Sequence, residues 1–421
     1  MAKRSKARTA GEDLDNSTIP KSEVLVGTDF CYAIPMFLPL ALTLLAGVLY
    51  VFSFAPWDQG YLQWIAFVPL FVAIQKVQDS EHPKCWQRYF WLGFAMNVVI
   101  CIGGFYWIIY STQQYGGIPI WASLLLFAVF CLIGQLQIPI YLWVREWAKK
   151  SKKFDESFWC WPIFSGFVYA GIDSIYPKLF SDTAGNAFYL HSWIRQAVDL
   201  GGPFVLTAIS ISVNELIARS ILYKELRSII AAVGMIVAVC LYGSYRVNQY
   251  TYPETLTGPT FNVAPIQANI GDYLKLEAER GSESAIENVL QAYLSLGSQA
   301  IQNTQKPDML VWPETAYPAL FGKPMSPPEV QLDRVSKNFA RQFGGTWAFG
   351  GYDQDVTLLE YNSFFFYDPN KDTHQVYHKN HLLMFGETLP FADLFPSMKS
   401  WFPTMGFFGQ GPGPIVVSVR N

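Results

Sequence analysis

The chain has 421 residues, of which 51% are hydrophobic, 16% aromatic and only 15% charged. A typical soluble domain is roughly 25% charged, so neither a disordered chain nor an ordinary soluble enzyme fits. A formal net charge of −3 gives no case for nucleic acid as the partner. Six cysteines without a Cys-X-X-Cys pair are too sparse for a disulfide framework or a zinc motif.

The average hides a split. Residues 1–247 hold 19 Lys and Arg against 16 Asp and Glu, and residues 248–421 hold 11 against 17, so the halves carry +3 and −6. A basic tail, 1–31, precedes seven uncharged apolar windows: Tyr32–Phe54, Tyr61–Ile74, Tyr89–Tyr110, Ile120–Val144, Ser157–Ile172, Leu200–Asn214 and Ser228–Tyr245. A bilayer core takes roughly 20 helical residues, and backbone in lipid must satisfy its own hydrogen bonds. Residues 32–247 therefore read as a membrane domain of about seven helices. The second, fifth and sixth windows are short and are expected to recruit flanking residues or to tilt little. The tail is separated from the first window by about twenty mostly polar residues, unlike a cleaved signal peptide.

Loop charge gives the orientation. Lys and Arg number sixteen in the tail and the loops after helices 2, 4 and 6, against two (Lys178 and Arg195) in the loops after helices 1, 3 and 5. The positive-inside rule places the N-terminus in the cytoplasm and, after seven crossings, everything beyond Tyr245 outside. The outer loop Asp173–Asp199 carries Tyr176, Phe180, Phe188, Tyr189, His191, Trp193 and Arg195. It reads as an interfacial anchor or, more sharply, as a wall of a lipid-entry site with Arg195 near a phosphate.

After a linker, 248–260, the pattern changes. Phe261–Gln267 reads as a strand and Leu276–Thr304 as a helix with apolar residues at helical spacing. Asp308–Trp312 reads as a buried strand, and Val330, Val335 and Phe339 mark a second helix. Thr346–Tyr352, Tyr361–Tyr367 and His374–His378 are expected strands, with a turn at Asp368-Pro369-Asn370. Alternation of strands and helices followed by a hairpin predicts an α/β layered sheet over 261–421.

Catalytic groups of α/β sheets collect at the carboxyl ends of strands. Glu314 stands there in Trp312-Pro313-Glu314, between Pro313 and Pro318. A carboxylate against Trp312 is expected to be partly desolvated, with a raised pKa suited to a general base; the plain alternative is a surface turn glutamate. Lys379 also ends a strand, where an ammonium can stabilise an oxyanion or simply be solvated. His374, His378 and His381 do not share one face, so no metal is expected.

These residues carry a resemblance. Pro265–Ile270, Trp312-Pro313-Glu314-Thr315, Tyr361-Asn362-Ser363, Lys379-Asn380-His381-Leu382 and Phe385-Gly386-Glu387 are similar to apolipoprotein N-acyltransferases, as are Phe52–Trp57 and Gly93–Trp107. The resemblance implies a multispan helical membrane bundle plus a nitrilase-like αββα domain on the periplasmic face of a bacterial inner membrane. It implies that Glu314 is the general base, Lys379 the oxyanion partner and Glu387 a supporting acid. The implied reaction takes an acyl chain from a phospholipid onto a cysteine, then passes it to the N-terminal amine of a diacylglyceryl lipoprotein. No cofactor is implied.

The sequence departs from that pattern at the nucleophile. Its cysteines are Cys31, Cys85, Cys101, Cys131, Cys160 and Cys240, all before residue 247, and no Gly-X-Ser-X-Gly offers a substitute. The closing stretch Ile415–Asn421 reads as a strand just begun, so a C-terminally truncated nitrilase-like domain is expected. The alternative is a catalytically inactive membrane-anchored relative that binds lipid or a partner. Leu276 follows Lys275 where the resemblance implies a tryptophan. The aromatic segment Met384–Pro412 reads either as core or as an arm dipping into the outer leaflet.

Overall fold

The computed structural model describes residues 36–78, 85–114, 117–150, 160–251, 261–302, 306–384, 386–389, 394–397 and 407–419. The chain falls into two compact units. The first takes the segments up to Gly104, Cys131–Tyr176 and Thr183–Cys240; the second takes Phe105–Phe130, Pro177–Asp182 and Leu241 onward.

Helices follow in the order α1 (Phe37–Phe52), α2 (Val68–Gln78), α3 (Cys85–Phe105), α4 (Trp107–Gln114), α5 (Ile120–Ile133), α6 (Gln137–Lys150), α7 (Cys160–Ile175), α8 (Ser192–Arg195), α9 (Pro203–Tyr223) and α10 (Leu226–Thr251). Among the described residues, five stretches are long and apolar enough to cross a membrane: Gly60–Gln78, Gln87–Phe105, Ile120–Lys149, Pro203–Tyr223 and Leu226–Tyr250. The second and sixth windows thus gain length from their flanks, as expected. The first and fifth windows give α1 and α7 of 16 residues each, below that length.

Two of these stretches contain breaks, and a buried asparagine mends each. The short 3-10 turn Gly60–Trp64 precedes α2, whose first amides have no helical partner. Asn214 of α9 accepts from the Phe67 and Val68 N–H groups at 2.8 and 3.1 Å and donates to Gln63 O at 2.9 Å. Between α5 and α6, Asn97 of α3 donates to Cys131 O at 2.7 Å and accepts from Gln135 N–H at 2.6 Å. A side-chain amide replaces the missing helical bonds where lipid offers none. Helices α7 and α9 approach so closely that a Cβ at Gly166 would lie 2.2 Å from Ala208 O, the small-residue contact that membrane helices favour.

The uncharged windows understate the charge inside the helices. Windows four and six stop at Val144 and Asn214, whereas α6 and α9 run on and bury Arg145, Glu146 and Glu215. The Arg145 guanidinium meets Glu215 at 2.6 and 2.9 Å and also bonds Glu146, while Ser165 donates to Glu215 at 2.6 Å.

The outer-loop reading needs correction at two aromatics. Phe188, in the 3-10 turn Ala184–Phe188, is fully buried against Trp64 and is core rather than anchor. Phe180, in the second unit, packs on Phe105 and Trp107. Tyr189 and Trp193 stay exposed, and Arg195 donates to Tyr189 O at 3.0 Å.

The α/β part of the second unit runs β1 (Val263–Pro265), α11 (Asp272–Glu279), α12 (Glu283–Ile301), β2 (Met309–Val311), α13 (Pro327–Phe343), β3 (Thr346–Gln354), β4 (Glu360–Asp368) and β5 (Thr373–His378). One five-stranded sheet, in order β1-β2-β3-β4-β5, is parallel from β1 to β3 and antiparallel from β3 to β5. Its aromatic core joins Trp312, Trp347, Phe349, Phe365, Tyr293 and Phe343. A membrane-helix bundle and an α/β sheet thus share the chain, as expected.

Two element expectations change. The helix expected over Leu276–Thr304 is two helices, α11 and α12, separated at Gly281, whose φ of +85° L side chains rarely adopt. The closing stretch forms no strand through Val419. It lies along the sheet instead, with Thr346 and Gln375 side chains donating to Val419 O and Ser418 O. Linker residues 252–260 and, in the aromatic segment, Phe385, Phe391, Met398, Trp401, Phe402 and Met405 lie outside the described residues.

Candidate active site

The mixed sheet decides what meets what. Because β4 and β5 reverse direction in turn, the ends of β2, β3 and β5 and the start of β4 share one edge. Glu314 follows β2 by three residues, Lys379 follows β5 directly, and Asn362 lies near the start of β4.

The Glu314 turn is tied to β3. Trp312 N–H donates to Ala348 O at 2.8 Å, Gly350 N–H to Pro313 O at 3.1 Å, and Tyr317 N–H to Gly350 O at 3.0 Å. Thr315 adopts φ +50° to make the bend. A Cβ at Gly350 would lie 2.5 Å from Glu314 Cα and 2.6 Å from Pro313 O, so only glycine lets the turn close on β3. Gly350→Ala should therefore displace Glu314 and cost about 1–3 kcal/mol of stability, read as a lower urea midpoint of the full chain in detergent micelles.

Lys379 continues the sheet, with its N–H donating to Asn362 O at 2.8 Å, and its carbonyl receives Gly411 N–H at 2.9 Å. Its ammonium donates to Glu314 Oε1 at 2.8 Å and to Glu387 Oε1 at 3.0 Å. Asn362 Nδ2 donates to the same two oxygens at 2.6 and 2.7 Å. Glu387 Oε2 accepts from Leu383 N–H at 2.8 Å. Exposure separates the two acids: the Glu314 side chain is 60% exposed and Glu387 only 12%. Glu387 thus holds the ammonium from the buried side, and Glu314 is the carboxylate open to solvent.

Trp312 does not raise the Glu314 pKa. The indole turns into the core against Tyr293 and Trp347. Burial does push the Glu314 carboxyl up, but hydrogen bonds from Lys379 and Asn362, and the charges of Lys379 and Lys275, outweigh it and hold it below the usual carboxylate range. Burial pulls the Lys379 ammonium down, and its bonds to Glu314 and Glu387 more than reverse this. A lowered acid stabilises the fold above its unfolded pKa and loses that contribution as pH falls through the folded value. A raised base stabilises below its unfolded pKa and loses that contribution as pH rises through the folded value. The pair therefore contributes fully between roughly pH 4 and roughly pH 10. The stability difference between wild type and Lys379→Met should be largest inside this window and shrink outside it, measured by urea unfolding across pH.

Beside the pair, Asp353 accepts from Lys323 at 2.8 Å and is bonded to His378 Nε2 at 2.9 Å. His378 stacks on Tyr361 at 4.2 Å, whereas His374 packs on Phe321, so these two histidines do not converge. Sequence reasoning assigned no role to Asn362 or Lys275. A lone asparagine in a run of aromatics, Tyr361–Tyr367, was the available signal for Asn362; nothing comparable marks Lys275 on the surface of α11.

Residues 46–216 match the family model described as the apolipoprotein N-acyltransferase N-terminal domain. Apolipoprotein N-acyltransferase of Bdellovibrio bacteriovorus is 25% identical over 394 residues, covering 89% of this chain and 68% of that protein. The chain is similar to the apolipoprotein N-acyltransferases over most of its length. The Geobacter metallireducens N-acyltransferase is 27% identical over 389 residues (88% of this chain, 68% of the relative), and that of Chlorobaculum tepidum 23% over 401 residues (90% and 68%). Matches of this length extend past the membrane helices into the sheet that carries Glu314 and Lys379.

Proposed function

We propose that this chain acts in lipoprotein maturation as a phospholipid-dependent N-acyltransferase of the bacterial inner membrane, with the sheet on the periplasmic side. The meeting of Glu314, Lys379, Glu387 and Asn362 at one sheet edge carries this reading. The alternation of loop charge supports the orientation.

In the reaction that the resemblance implies, Glu314 would take the proton of the family's cysteine thiol, a nucleophile that these 421 residues do not place beside it, and the thiolate would attack the ester carbonyl of a phospholipid. A C–S bond forms, and Lys379 faces the oxygen that gains negative charge. The C–O bond then breaks, and the lysophospholipid leaves with the proton returned by Glu314. The N-terminal amine of a diacylglyceryl lipoprotein next attacks the thioester. An amide forms and the thiol is restored. Two bulky lipids can so use one site in turn.

The ion pair fits this cycle. Lys379 cannot serve Glu314 fully and an oxyanion at once. As the ammonium turns to the oxyanion, the Glu314 pKa rises and the carboxylate becomes a better base. Glu387 keeps the ammonium in place throughout.

A second reading, a catalytically inactive membrane-anchored relative that binds lipid, has one fact in its favour: no cysteine follows Cys240 in these 421 residues. Mass spectrometry of mature lipoprotein N-termini separates the two. Cells with the intact gene should carry an amide-linked acyl chain, and cells lacking it or carrying Glu314→Gln should not. Acylation that persists without the gene would overturn the enzymatic reading.

A further inference from the structure

Helices α2, α6 and α9 end, and α7 begins, at one pole of the helical unit, because Gln75, Lys149, Trp161 and Tyr223 line a common pocket there. It shares no residue with the Glu314–Lys379 site.

The charges of this pocket sort into two groups. At its inner end Arg145 is gripped by Glu215 and Glu146, with the guanidinium 5.0 Å from the Phe71 ring centre and 5.5 Å from that of Trp161. Protein carboxylates already satisfy that cation. Lys149 and Arg219 are only half-buried and also line the pocket. Lys149 Nζ sits 5.6 Å from the Trp161 ring centre, and Arg219 shares Glu225 with Arg227. Counting Arg145, Lys149, Arg219 and Arg227 against Glu146, Glu215 and Glu225 leaves one net positive charge. The lining itself holds three cations and one carboxylate.

We propose that this pocket binds the phosphodiester headgroup of an anionic phospholipid, held by Lys149 and Arg219. Basic pockets between membrane helices suit such headgroups, and a guanidinium matches a phosphate in two-point geometry. Trp161 and Tyr223 supply the amphipathic rings that settle at headgroup level. The pole is the one that the loop charges make basic, with Lys76, Lys150, Lys152, Lys153, Lys224 and Arg227 nearby in sequence. The lipid is bound as a resident and is not consumed.

Native mass spectrometry of the full chain, released from micelles holding phosphatidylglycerol or phosphatidylcholine, tests this. The wild type should retain phosphatidylglycerol in preference. Lys149→Gln and Arg219→Gln should each lower retention about fivefold, and Lys149→Arg should keep it. Equal retention of phosphatidylcholine, or undiminished retention by both glutamine variants, would overturn the proposal. So would displacement of the lipid by millimolar inorganic phosphate, which would mark a free-phosphate site. The helical circular dichroism of each variant, if unchanged, ties a loss of lipid to the pocket. If Lys149→Gln unfolds, failure of the charge-preserving Lys149→Arg to retain lipid overturns the assignment.

Discussion

Arg145→Met in α6 should destabilise the helical unit by about 3–5 kcal/mol, because it strands Glu146 and Glu215 as buried charges without their cation. Both carboxylates are no more than about 5% exposed, and Glu215 would keep only the Ser165 hydroxyl of its present hydrogen-bond donors. The same physics predicts a rescue. Adding Glu215→Leu and Glu146→Gln to Arg145→Met removes both stranded charges and should recover most of the loss, since an apolar replacement of a whole buried ionic cluster is often neutral. Thermal unfolding in micelles checks both. A single Arg145→Met variant that melts with the wild type would show that water already reaches the cluster.

Lys379→Met should be the most damaging change at the sheet edge. Loss of one donor aimed at a developing oxyanion costs on the order of 10²–10³ in rate, so lipoprotein N-acylation should become undetectable in cells carrying this variant. A second effect accompanies it. Glu314 and Glu387 would share the Asn362 amide, and the 12%-exposed Glu387 would be left with that amide and Leu383 N–H but no cation. Without the ammonium, the Glu314 carboxyl should lose most of what holds it low, visible as a carboxyl pKa raised from the wild-type value by isotope-edited infrared titration. Lys379→Arg should not restore activity, because a planar fork cannot occupy the position of a compact ammonium between two carboxylate oxygens.

Much of this architecture was legible in the residues. Runs without charge marked the membrane helices because lipid excludes charge, and the α/β order of the second half followed from alternating short apolar runs and helical stripes. The limits are equally physical. An uncharged-window rule stops at Val144 and Asn214, although α6 and α9 continue and bury Arg145 and Glu215, because an ion pair satisfied from a neighbouring helix no longer behaves as charge. A helix rule ran through Arg280–Ser282 because a positive-φ glycine leaves apolar spacing intact while ending the helix. Trp312 beside Glu314 suggested a desolvated acid, yet the chain bends at Pro313-Glu314-Thr315, with Thr315 at φ +50°, so the carboxylate leaves the strand while the indole stays in the core. Asn362 acquires its meaning only from the pairing of β4 with β5, which no local pattern encodes.

The reversal of direction at β4 and β5 has a consequence for biosynthesis. Glu314 leaves the ribosome 65 residues before its ammonium partner. At about 5–20 residues per second, the carboxylate waits roughly 3–13 s for Lys379. During that interval Glu314 has only Lys275, water and, 48 residues behind it, Asn362 to stabilise its charge, so the pair is a late product of translation and marks the moment at which the edge is assembled.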